Sequence, residues 1–270
     1  MKVDVNGRAA YAYTGGKAFD ATLPCIVFIH GASHDHSGWT LLARWFAHHG
    51  HSVLAPDLPG HMRSAGPLLP SVEALADWVL ALLDAAGVQR AALVGHSMGS
   101  LIALEAAGRA GDHESTRASH LVMIGSTYPM KVSDALLATA KEAPERAMAM
   151  VNAWSIATHA TKPGFPSPGT WLHGSNLALM RRVQASAPET NLFLHDFEIC
   201  NRYAAGKQAA ERVRCPVTMI LGSADQMTLP KAAREISAAL KAGVVMVDSG
   251  HHLLAEAPDA VLNALRRVLT

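Results

Sequence analysis

Charge is scarce in this sequence. Only 17% of its 270 residues are charged, and 23 Lys and Arg nearly balance 22 Asp and Glu, for a formal net charge of +1. The cations are scattered, with no basic run. Nucleic acid and anionic membrane surfaces are therefore not expected partners. Cysteine is rarer still: Cys25, Cys200 and Cys215 form an odd set with no close pairing pattern, which argues against a disulfide framework. Cys25 and Cys215 each open an apolar run and read as small buried hydrophobes. No run of about 18 apolar residues offers a membrane span. The first residues, MKVDVNGRAAYAYTGG, lack the apolar centre of a secretory signal. These absences set the expectation of a cytoplasmic protein in a reducing compartment. No G-x-G-x-x-G follows the first strand of a βαβ unit, so a dinucleotide site is not expected either.

What is abundant is apolar material. Half of the residues are hydrophobic, enough for a sizeable core in one large domain or a domain with an insertion. The alternation on both sides of Asn6-Gly7 reads as a hairpin. CIVFIHG, SVLAPDLPG, AALVGHS, HLVMIGS, PVTMILGSAD and GVVMVDSGH are short apolar runs of the kind buried on both faces of a parallel sheet. Helical patterns lie between them. Ser71 is the expected N-cap of one and Gly87 its stop, while Pro230 and Gly243 should bracket another. Strands alternating with helices predict an α/β fold with a mostly parallel, doubly wound sheet. From about Ser126 to Lys207 the strand signal stops. Helical segments interrupted near Pro144 and a Pro- and Gly-rich loop, THATKPGFPSPGTWLHG, fill this stretch. The expected division is a core of residues 1–125 and 208–270 with a helical insertion at 126–207.

Gly95-His96-Ser97-Met98-Gly99 sits where a strand should give way to a helix. In that context G-x-S-x-G is a nucleophile elbow. The serine must take a strained backbone conformation to project its hydroxyl, and the glycines let strand and helix approach. A serine hydroxyl needs an adjacent base. Asp225 follows one later strand and His251 follows the next. The order Ser97, Asp225, His251 suits nucleophile, acid and base. Asp248 is a rival acid, but it lies in the last strand run and too near His251 in sequence.

FIHGASHDHSGW, APDLPGHMRS, LVGHSMGS, LGSAD and SGHHLLAEAP together resemble the α/β-hydrolase fold superfamily, of the serine hydrolase or esterase type with a helical cap. The resemblance covers nearly the whole chain outside the insertion. It implies that Gly250, His251, Glu256 and Pro258 stand in the register of the family's catalytic histidine, which favours His251 over His252. It assigns the oxyanion-holding N–H groups to Met98 and to the loop after FIHG, where Ala32 is the first choice and Ser33 the alternative. It departs at Met62, where the family commonly has glycine, and implies that His96 points away from the substrate. His34, Asp35 and His36 echo the end of the metal motif H-x-H-x-D-H, but Gly31 and Ser33 occupy the upstream ligand positions. A metal is therefore not expected, and the loop's side chains should order it by hydrogen bonds or, for Ser33, His34 and His36, face the pocket. Met130, Met148, Met150, Trp154, Trp171 and Phe193 are candidates for an apolar pocket or simply for packing between helices.

The expected function is cofactor-independent hydrolysis of carboxylic esters of small, lipophilic substrates through an acyl-enzyme. The fold leaves three other functions open. Carbon–carbon hydrolysis of diketone acids would need an arginine in the pocket, for which Arg181, Arg182 and Arg202 are available. Cofactor-free oxygen chemistry would use His251 and Asp225 as the base. A low-turnover ligand receptor would keep the triad. A small-molecule substrate is the expected partner, and a homodimer is left open.

Overall fold

The computed structural model describes residues 1–111, 116–157 and 171–270. An eight-stranded sheet runs through it in the order β1-β2-β4-β3-β5-β6-β7-β8. Its strands are β1 (Lys2–Val5), β2 (Arg8–Tyr13), β3 (Cys25–Ile29), β4 (Ser52–Pro56), β5 (Ala91–His96), β6 (Ala118–Ile124), β7 (Val217–Gly222) and β8 (Gly243–Val247). β1 and β2 form the antiparallel edge, with Val5 opposite Arg8 across the Asn6-Gly7 turn. Asn6 (φ 54°) and Gly7 (φ 76°) are both left-handed, as a two-residue hairpin with right-twisted strands requires. From β4 to β8 the pairing is parallel.

Alternate residues of each central strand serve opposite layers. Val27 and Ile29 of β3 meet α2 (Val72–Ala85) and α3 (Met98–Arg109), while Ile26 and Phe28 meet α1 (Thr40–Ala47) and α11 (Pro258–Leu269). This two-sided burial explains why β3, β4 and β5 are wholly buried and read as continuous apolar runs. Ser71 caps α2 by accepting from the Ala74 N–H at 3.2 Å, and Gly87 ends it at φ 70°.

Between β6 and β7 lie α4 (Asp134–Glu142), α5 (Pro144–Ser155), α6 (Leu172–Ala185), α7 (Leu192–Arg202) and α8 (Gly206–Arg212). Pro144 is the first residue of α5, where its missing N–H costs nothing. Helices α4 to α7 share an apolar cluster of their own that includes Leu136, Met148, Met180, Phe193 and Phe197. α8, which carries no separate signal in the amino-acid pattern, lies instead on α3, with the Ala209 carbonyl against Gly108.

Two expectations need correction. The Pro- and Gly-rich stretch falls mainly on 158–170, outside the described residues, and its last residues, Leu172 to Gly174, open α6 rather than continue a loop. The segment after Pro230 is not one helix to Gly243. It is a 3-10 turn, Pro230–Ala233, followed by α9 (Arg234–Ala239). Gly243 begins β8, and Lys241 (φ 49°) makes the left-handed turn expected of a glycine. α10 (Leu253–Glu256) completes the chain of elements. Among the described residues no helix is long and apolar enough to cross a membrane.

Candidate active site

Strand order reverses beside β3: β4 lies on one side of it and β5 on the other. Loops leaving the carboxyl ends of strands at such a reversal frame a crevice. Ala32 follows β3, Ser97 follows β5, Asp225 follows β7 and His251 follows β8. Four remote stretches of sequence thus reach one edge of the sheet.

Ser97 stands between β5 and α3 at φ 53° and ψ −121°, a conformation that L-residues adopt only when their surroundings enforce it. The enforcing contacts involve the flanking glycines. A Cβ on Gly95 would lie 2.0 Å from the Gly99 carbonyl oxygen, and one on Gly99 would lie 2.2 Å from that of Ile29. Strand and helix are therefore in backbone contact, and the serine is thrust out of the bend.

The Ser97 hydroxyl lies 2.9 Å from His251 Nε2. The other ring nitrogen, Nδ1, is 2.8 Å from Asp225 Oδ2. Asp225 is itself tightly held: its Oδ1 accepts from the Met227 and Thr228 N–H groups, each at 2.8 Å, and its Oδ2 accepts from the Thr228 hydroxyl at 2.7 Å. Burial works against the Asp225 charge, but the adjacent His251 and these donors outweigh it, so the carboxyl stays below its ordinary range. With Asp225 as acceptor, His251 Nδ1 carries the proton and Nε2 is left to accept from serine. Asp248 is exposed and meets only the Ser223 hydroxyl, at 3.4 Å.

His96 is buried and donates from Nε2 to the His251 carbonyl at 2.8 Å. It thus faces the histidine loop from below. Burial, and then the neighbouring His251, press its pKa down to about 3, so it stays neutral. Glu256 accepts from the Gly250 N–H at 3.0 Å and from the Ala157 N–H at 3.0 Å, and so fixes the loop immediately before His251. His252, which neighbours His251, is buried; its ring lies 5.5 Å from that of His34 and is not at the serine.

The oxyanion candidates separate clearly. Met98 is the first residue of α3, where an N–H has no intrahelical partner. The Ser33 N–H is engaged, donating to Asp196 Oδ2 at 2.8 Å. Among the described residues the Ala32 N–H meets no such acceptor, and Ala32 lines a cavity of about 150 Å³ together with Ser97 and His251. The rest of that wall is mostly apolar and includes Met130, Trp154, Phe197 and Met227. Ser33, His34 and His36 are absent from it. Ser33 sits buried at φ 55°, His34 Nδ1 donates to the Ala32 carbonyl at 2.7 Å, and His36 Nδ1 donates to Asp57 at 2.7 Å. Met148 and Phe193 pack among the α4 to α7 helices with Met150 beside them, and Trp171 is 63% exposed.

Asp35, His36 and Asp57 bring potential ligand atoms within 4.8 Å of one another. Each already has a partner: Asp35 accepts from the Ser37 N–H and Arg182, and Asp57 from His36 and the Arg63 N–H. These bonds tie down the loop. Met62, at the position where the resemblance leads to an expectation of glycine, has a left-handed backbone, φ 45°.

Sequence reasoning missed Thr228 and the buried pair formed by His61 and Asp196, whose Nε2 and Oδ2 are 3.1 Å apart. A signal for Asp196 was present. Phe193, Asp196, Phe197 and Cys200 are spaced by three and four, so an acid lies on the buried face of an otherwise apolar helix stripe.

The profile of the Alpha/beta hydrolase family matches residues 26–264. Among solved structures, the enol-lactonase from Burkholderia xenovorans LB400 superposes with a TM-score of 0.80 at 22% identity, covering 99% of this chain and 98% of the other. An esterase from Exiguobacterium antarcticum gives a TM-score of 0.82 at 15% identity over 100% and 98%. Among curated proteins, the dihydrolipoyllysine-residue acetyltransferase component of the acetoin cleaving system of Cupriavidus necator is 37% identical over 106 residues, 38% of this chain and 27% of that protein. The counterpart from Pseudomonas putida is 40% identical over 111 residues, 41% and 29% respectively. The match thus spans less than a third of the curated relatives' length. With a family match that runs from β3 into α11, this chain belongs to the alpha/beta hydrolase family.

Proposed function

We propose that the protein is a serine hydrolase of small carboxylic esters, including cyclic ones, with residues 126–207 acting as a cap over the site. The observation that carries this reading is the unbroken hydrogen-bond chain from Ser97 through His251 to Asp225 at the wall of an apolar cavity. In the proposed cycle Ser97 Oγ attacks the acyl carbon while its proton passes to His251 Nε2. The carbonyl oxygen becomes an oxyanion held by the Met98 and Ala32 N–H groups. Collapse of this intermediate breaks the acyl–oxygen bond, and His251 gives its proton to the departing alcohol. A water then attacks the acyl-serine and loses a proton to His251; collapse breaks the bond to Ser97, His251 returns the proton to Ser97 Oγ, and the acid is released. Asp225 keeps the imidazole oriented and stabilises its cation throughout.

An ester or lactone linkage also agrees with the fold neighbours named as an enol-lactonase and an esterase. Among the described residues no arginine lines the cavity, and Arg181, Arg182 and Arg202 pair with Glu145, Asp35 and Glu198; the cation on that wall is Lys131, which the diketone-acid alternative would have to use. A fluorophosphonate should label Ser97 by forming a phosphorus–oxygen bond and expelling fluoride. Ser97→Ala should abolish that labelling and lower kcat on p-nitrophenyl acetate by about ten-thousand-fold or more. Wild-type turnover in that variant would end the proposal.

A further inference from the structure

The buried carboxylate of Asp196 belongs to α7 in the insertion, yet its bonds reach the loop that follows β3. Its Oδ2 accepts from the Ser33 N–H at 2.8 Å and from His61 Nε2 at 3.1 Å, and its Oδ1 accepts from His195 Nδ1 at 3.2 Å. His61 Nδ1 faces the Pro59 carbonyl at 3.1 Å. Both ring nitrogens of His61 thus point at acceptors, which the imidazolium satisfies and neither neutral tautomer does. Burial opposes that charge, but Asp196 and its hydrogen bond outweigh burial and hold the His61 pKa up.

Ser33 needs this support. It holds φ 55° without being glycine, a strained conformation that persists only where neighbours over-determine it. Its N–H adjoins Ala32, whose own N–H meets no acceptor among the described residues. A charge-assisted bond from a buried carboxylate is a stiff anchor for such a peptide.

We infer that Asp196 is a positioning residue that reaches from the insertion to hold the β3 loop so that Ala32, and not Ser33, presents its N–H to the substrate's developing oxyanion. The inference rests on the proposed role of Ser97. The same helix walls the cavity through Phe197 and Cys200, so one element contacts the acyl group and sets the donor that acts on its carbonyl.

The test compares Asp196→Asn and Asp196→Leu with the wild-type protein on p-nitrophenyl acetate and on a trifluoromethyl ketone. The serine adds to the ketone's carbonyl carbon, its proton passes to His251, and the oxyanion remains. Asp196→Asn keeps an acceptor but not the charge. It should lower kcat about tenfold and weaken the ketone about tenfold, with KM within twofold. Asp196→Leu should lose at least a hundredfold in both. If the leucine variant does not fold, the asparagine variant decides. Unchanged kcat and ketone affinity in Asp196→Asn, even with a lowered Tm, would overturn the inference, as would a loss confined to KM. Ser97→Ala run alongside separates the two ideas. If it is inactive while Asp196→Asn behaves as wild type, only the Asp196 inference fails.

Discussion

At the scale of single residues, the site depends on where protons sit. Asp225 accepts three donors besides His251, so it remains an anion that orients Nδ1–H. Asp225→Asn would turn an N–H toward that ring nitrogen and favour the other tautomer, leaving Nε2 protonated against Ser97. In a comparable triad this change lowers kcat about ten-thousand-fold, and the same order is expected here in steady-state ester hydrolysis, with KM little changed. A loss under tenfold would mean that Asp225 does not set the tautomer. The glycines give a sharper prediction, because a Cβ at Gly95 or Gly99 has no space within the backbone contact. Gly99→Ala should cost about 3 kcal/mol or more, or prevent folding, and its melting temperature would check this. These positions were legible in the sequence because each follows an apolar strand run and the elbow imposes its own small residues. Asp196 and Thr228 were not singled out, since their importance lies in partners distant in sequence or in a turn whose shape the sequence does not state.

At the scale of elements, the loop between β8 and α10 is held from two directions. His96 at the end of β5 grips the His251 carbonyl, and Glu256 of α10 grips the Gly250 N–H. Glu256 also takes the Ala157 N–H just beyond α5, which couples the insertion to the histidine loop. Glu256→Ala would leave the buried Gly250 N–H unpaired, at about 1–3 kcal/mol, and release the part-buried Ala157 N–H. It should lower both the melting temperature and kcat, because the loop that carries His251 loosens. A lowered melting temperature with wild-type kcat would confine Glu256 to a packing role. On the proposed function, the cavity between α4, α5, α7 and the sheet edge would receive the acyl group and limit its size. At about 150 Å³ it matches an apolar cavity that accepts benzene. In a p-nitrophenyl ester series, kcat/KM should therefore peak at two to four acyl carbons, roughly, and fall by about 100-fold by palmitate. A maximum at long chains would refute this fit. Element types were readable from periodicity, but ends were less so. The stop assigned to Gly243 belongs to Lys241, whose left-handed turn is closed by local cap bonds, Lys241 N–H to the Ala238 carbonyl and Ala242 N–H to the Ser237 carbonyl, where composition alone would put glycine.

At the scale of the whole molecule, the buried histidines make stability depend on acidity. His30, His34, His96 and His252 are all held below their ordinary pKa, with burial the largest cause in each. His30 is brought to about 4 and His96 to about 3. A neutral folded imidazole binds fewer protons than the same group in the unfolded chain. Its contribution is fully present above about pH 6.5 and declines as pH falls toward the folded pKa. Each such group removes on the order of 1 kcal/mol per pH unit across that window. His61 acts in the opposite sense. Its pKa is raised by Asp196, so its contribution is present below about pH 6.5 and fades as pH rises through the folded value. Among the described histidines these four and the partly buried His120 are depressed and His61 alone is raised, which gives a net loss on acidification. The melting temperature should fall by roughly 10 °C between pH 7 and pH 5, by scaling a few kcal/mol to a chain of this size. Replacing His61 with Gln removes the one opposing contribution, and the fall over the same interval should then steepen. A melting temperature that rises on acidification would show that the four depressed rings are charged within the fold, and a His61→Gln slope shallower than that of the wild type would show that His61 is neutral there.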